Sequence, residues 1–79
     1  MTSMVRLSAA LNTDVSGELI TRQVETFTNL GMSSGESAGG LVYFVDLDWD
    51  DPDTFNAIND IMRLATSIPL RYASLMHTQ

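Results

Sequence analysis

The chain has 79 residues, with ten acidic residues, four arginines, no lysine, no cysteine and a formal net charge of −6. That length makes one domain, residues 1–79, burying roughly 60% of its unfolded surface, with no disulfide or Cys/His cluster to staple it. The charge argues against direct nucleic-acid binding, which rests on cationic contacts to phosphate, and against an anionic membrane surface. No apolar run approaches the ~20 residues of a membrane span, and the start lacks a basic segment followed by an apolar one, so a cytoplasmic setting is expected.

Met4 to Leu11 alternates, with Val5, Leu7, Ala9 and Leu11 on an apolar face and Arg6 and Ser8 on a polar one; this predicts a first strand. Asn12 to Gly17 is a loop with turn chemistry. Ser16 is positioned to cap a helix over about 17–30. Val15 and Ile20 then have the hydrophobic-staple spacing. Ile20, Val24, Phe27 and Leu30 form the apolar stripe, and Gly31 follows as the terminating glycine.

Met32 to Gly40 is rich in serine and glycine. It reads as a weak edge strand over about 32–38, with Gly39-Gly40 as a two-residue hairpin turn, or equally as a loop. Leu41 to Leu47, running on to Trp49, is the most apolar strand. Leu41, Tyr43, Val45 and Leu47 share its core face, and Val42, Phe44, Asp46 and Asp48 share the other. Asp51 then caps a helix over about 52–67, with Pro52 at its first position and Asp53 favouring its dipole. Phe55, Ile58, Ile61/Met62, Ala65 and Ile68 recur at helical spacing, and Pro69 ends the helix. Leu70 to His77 is the last strand, with Leu70, Tyr72 and Met76 expected inward and Arg71, Ala73, Leu75 and His77 outward.

The order β-α-(β)-β-α-β predicts an α+β, ferredoxin-like fold: one antiparallel sheet with two helices on one face. The expected strand order is last, first, 41–49, edge. The uncovered face then carries Val42, Phe44, Ala73 and Leu75 as an apolar patch, which marks an interface.

Asp14-Val15-Ser16-Gly17-Glu18-Leu19, followed by Leu30-Gly31-Met32, resembles the opening of ACT-type regulatory domains. That resemblance implies a ligand-sensing, dimer-forming module with a small-ligand site in the loop and helix start, at Asn12, Asp14 and Gly17.

Five of the ten acids lie between 46 and 53. An EF-hand loop beginning at Asp46 fails, because its sixth and twelfth positions are Asp51 and Ala57. The D-x-D pair resembles a haloacid-dehalogenase nucleophile, but that chemistry needs a longer chain and a lysine. The structural explanation is that Asp46 and Asp48 pair with Arg6 and Arg71 across the sheet while Asp51 caps the helix. The functional one is an acidic rim that meets a cationic protein and mimics phosphates. His77 has no partner in sequence to make it a base, and the Ser33–Ser37 serines lack a nucleophile elbow. Met32, Met62 and Met76 read as core filler. Trp49 reads as an interface anchor or as a lid beside Phe55.

These residues point to a non-enzymatic module with no catalytic, metal or cofactor site. It binds a protein partner, or itself as a homodimer, through Val42, Phe44, Asp46, Asp48, Trp49, Asp50 and Asp51. The alternative is an ACT-like small-ligand sensor.

Overall fold

The alternation that begins at Met4 becomes strand β1 (Met4–Ala10) in a computed structural model that describes residues 3–35 and 39–78. Helix α1 (Gly17–Asn29) follows, then β2 (Ser33–Gly35), β3 (Val42–Asp48), α2 (Pro52–Ser67) and β4 (Tyr72–Thr78). The sheet order is β2-β3-β1-β4 and every neighbouring pair is antiparallel. Read from the β4 edge, this is last, first, 41–49 segment, edge.

Both helix starts form as their cap residues dictate. The Ser16 hydroxyl accepts from the Leu19 amide, and the Asp51 carboxylate accepts from the Asp53 amide at 3.0 Å, with Pro52 opening the helix. Helix α1 closes in a Schellman motif. Gly31 takes φ +76°, its amide donates to the Thr28 carbonyl, and the Met32 amide donates to the Phe27 carbonyl. The reversed chain then enters β2 with Met32 buried. Helix α2 ends on Ile68, whose extended backbone is what the following Pro69 requires.

The two helices pack on one side of the sheet. Leu7, Ala9 and Leu11 from the β1 segment meet Phe27, Ala57, Ile61, Leu64 and Ile68, with Tyr43, Val45 and Leu47 of β3 packed against them. Phe27 and Tyr43 touch as tilted rings 5.1 Å apart. Phe27 is fully buried, a position where truncation to alanine costs about 3–5 kcal/mol.

Several expectations are corrected. Ala73 pairs with Ala9, Leu75 with Leu7 and His77 with Val5, so these β4 side chains share the helix-facing side. Tyr72, Ser74 and Met76 pair with Ala10, Ser8 and Arg6 on the open side. The inward and outward sets of β4 are therefore reversed. In α2 the buried residue of the first turn is Thr54, not Phe55, which is exposed. The Thr54 hydroxyl donates to the Asp48 carbonyl, tying the helix start to the end of β3. Met62 and Met76 are exposed rather than filling the core. Gly35 pairs with Val42, so the link between β2 and β3 spans 36–41 and is longer than a two-residue turn. Gly39 and Gly40 do take positive φ within it; 36–38, the end of the expected edge strand, lie outside the described residues.

Candidate functional site

The open face of the sheet is built by the even-numbered residues of its three long strands. One row across it reads Tyr72, Ala10, Val42; the next Ser74, Ser8, Phe44; the next Met76, Arg6, Asp46. The apolar side chains of this face are Val42 and Tyr72 at one end, Phe44 in the middle row and Met76 in the row of Arg6 and Asp46, with Tyr72 and Met76 exposed and Val42 and Phe44 half-buried.

Phe44 is half-covered because of its neighbours. Arg6 lies directly opposite Asp46 and makes a two-pronged pair with it, Nε to Oδ1 at 2.8 Å and Nη2 to Oδ2 at 3.0 Å. The guanidinium so held lies 4.7 Å from the centre of the Phe44 ring, within cation–π range. The Arg6 hydrogen bond holds the Asp46 carboxyl below its usual range, and the same bond raises Arg6 further. Both side chains face solvent, so this clasp orients groups more than it stabilises the fold.

The acids of the 46–53 rim have separate roles. Asp46 is in the clasp. Asp48 accepts from the Asp50 amide at 2.9 Å, and Asp51 caps α2. Asp48 does not reach Arg71. It pairs with Met4 at one end of the sheet, whereas Arg71 precedes β4 and donates its amide to the Ala10 carbonyl at the other. Among the described residues, no group of three or more His, Cys, Asp or Glu side chains is placed to hold a metal ion. Trp49 is both lid and surface: its ring packs 5.3 Å from that of Phe55, yet it stays exposed. Its amide donates to the Ser3 carbonyl at 2.8 Å, which pins the turn beside β1.

The Asn12–Gly17 loop is fastened by a residue absent from the apolar pattern, Gln23. This side chain is fully buried in α1. Its Oε1 accepts from the Asn12 amide at 2.9 Å and its Nε2 donates to the Asn12 carbonyl at 3.0 Å. The Asn12 Oδ1 in turn accepts from the Asp14 amide. Gly17 opens α1 with open space around it. The backbone amide, backbone carbonyl and side-chain oxygen of Asn12 are thus occupied within the chain. The signal in the sequence was positional: Gln23 falls between Leu19 and Phe27 on the packed face, where an amide needs a dedicated partner.

The chain matches no family model, and no curated protein or solved structure matches it either. No helix among the described residues is long and apolar enough to cross a membrane.

Proposed function

We propose that this chain is a small, non-enzymatic interaction module that grips a basic protein through its open sheet face and the adjoining acidic rim. The observation carrying this reading is the one-sided helix layer. It leaves Val42, Phe44, Tyr72 and Met76 uncovered by any helix; Phe44 and Met76 lie nearest Asp46 and the acidic turn beyond it, and Val42 and Tyr72 lie toward the other end of the face. Apolar side chains next to carboxylates suit a partner whose contact surface mixes aliphatic and cationic groups, such as a cationic nucleic-acid-binding groove. Occupying that groove inhibits the partner, because carboxylates stand where phosphates belong. The fold reading that accompanies it is ferredoxin-like. It is supported by the order β4-β1-β3-β2 and by two crossovers, β1-α1-β2 and β3-α2-β4, each split by an intervening antiparallel strand. The absence of cysteine suits a reducing, cytoplasmic setting.

The test is capture from host lysate with wild type beside Asp48→Asn/Asp50→Asn/Asp53→Asn, leaving Asp51 to cap α2 and Asp46 to hold Arg6. A single basic partner is expected with wild type, lost in the variant and lost with added salt. Capture that ignores both the neutralisation and the salt refutes the acidic reading. Phe44→Asp, at a half-exposed position, is expected to fold and to lose the partner.

A further inference from the structure

Among the described residues, the large apolar side chains that stay exposed are not scattered. Trp49, Phe55, Met62, Tyr72, Leu75 and Met76 stand between 40% and 64% exposed. Five of the six lie on β4 or line a hollow against it, and Phe55 packs on one of those five, Trp49. Tyr72 and Met76 are on its open face and Leu75 on its helix face. Met62 and Leu75 line the two sides of an apolar slot of about 120 Å³ between α2 and β4, floored by Leu7 and Ile61. Trp49 adjoins Val5, Leu75 and His77 in the next hollow, and Phe55 packs on Trp49.

Strand β4 is also a sheet edge. The other edge, β2, has three residues, Ser33–Gly35, among the described residues, and a short edge strand is one of the ways proteins blunt an edge. Strand β4 has seven residues, Tyr-Ala-Ser-Leu-Met-His-Thr, with no lysine, proline, glycine or carboxylate. It has none of the usual defences against pairing with another strand.

We infer that β4 is a homodimer interface, at which a second copy of the chain adds its own β4 antiparallel across a two-fold axis near Leu75. Three observations select a second copy. First, closure: the resulting eight-stranded sheet has only the two short β2 strands as its outer edges, so assembly stops at two. Second, charge: the acidic turn at 48–53 lies at the Thr78 end of β4, while Arg71 precedes its Tyr72 end. Antiparallel pairing turns the acidic end of each copy toward the arginine end of the other, although both carry the same net charge. Third, area: side chains of this size carry on the order of 150–250 Å². Trp49, Phe55, Met62 and Leu75, at 40–61% exposure, therefore offer on the order of 400 Å² of apolar surface per copy. A stable two-protein interface removes about 800 Å² per partner, a little over half of it apolar. The axis is placed at Leu75 because it is the middle one of the three β4 side chains facing the helices, Ala73, Leu75 and His77.

Sedimentation equilibrium of wild type, Leu75→Asp and Met62→Asp tests this, with circular dichroism on each. Wild type is expected as a dimer, and both variants as folded monomers with dimerisation weakened at least tenfold. Should Leu75→Asp fail to fold, Met62→Asp decides, because that side chain is the more exposed of the two. The absence of native cysteine makes a location test clean. Leu75→Cys is expected to form an interchain disulfide on oxidation, since directly opposed strand residues bring their Cβ atoms close to disulfide range. Thr21→Cys, on α1, is expected not to. A wild type that stays monomeric from micromolar to millimolar concentration overturns the inference. So does a dimer that both aspartate variants leave intact, or equal crosslinking at positions 21 and 75.

Discussion

Replacing Gln23 by leucine probes how the loop after β1 is held. The substitution nearly preserves shape but removes both hydrogen bonds to Asn12, at its amide and its carbonyl, together with a longer one to the Leu19 carbonyl at 3.5 Å. Each such bond contributes about 1 kcal/mol net, and more when the abandoned group stays shielded from water. Leucine recovers part of this through apolar burial, so the net loss expected is about 2 kcal/mol. A chain of this length has about 4–12 kcal/mol of stability in total. The loss therefore lowers Tm by about 8–16 °C, read by circular dichroism and urea unfolding. Gln23→Glu gives an independent check. Its carboxylate still accepts from the Asn12 amide but confronts the Asn12 carbonyl and is buried as a charge. Its native pKa is thereby raised, so the variant is least stable at neutral pH and recovers as pH falls and the protonated acid donates to Asn12. A Gln23→Leu protein as stable as wild type would show that water satisfies Asn12 and that Gln23 is not the fastening.

Asp51→Ala removes the cap of α2 and is expected to cost about 1 kcal/mol in urea unfolding, with Asp51→Ser restoring most of it; equal stability of all three would mean the turn is held by Thr54 and Pro52 alone. Arg6→Gln is expected to return the Asp46 carboxyl upward toward its usual value in an NMR titration. Because the native Asp46 carboxyl is depressed, its contribution is present above the unfolded value and lost as pH falls through the native one. The variant loses that part of the acid dependence, and an unmoved Asp46 titration would refute the clasp.

Legibility in the sequence followed how many faces each segment had to satisfy. Strands β1 and β3 were readable because their odd residues are uniformly apolar while Arg6, Asp46 and Asp48 mark the other side. In strand β4, Tyr72 and Met76 compete with Ala73 and Leu75, so alternation selects neither face and the larger side chains point to the wrong phase. Pairing with β1 decides it instead, and a one-residue slip exchanges every side chain. The start of α2 misled for a related reason. Phe55 is the larger apolar group, but Thr54 alone can both enter the core and bond the Asp48 carbonyl. The Arg6–Asp46 pair and the Asp51 cap were legible. The proposed reach of Arg71 to Asp48 was not realised, because antiparallel pairing sends β4 away from Arg71 toward Met4. The crowding of exposed apolar groups around β4 depends on sheet order and could not be seen along the chain.

The central position of β1 sets the tempo of folding. Its partners begin at Val42 and Tyr72, so its shortest ladder contact already spans more than thirty residues and its longest joins Met4 to Thr78. Long loops must close before those pairings stabilise anything, which slows folding relative to a helical bundle of equal size. Until both neighbours arrive, Val5, Leu7 and Ala9 have no complete sheet around them. Neither half of the chain contains a self-sufficient sheet, and the two split crossovers are committed together or not at all.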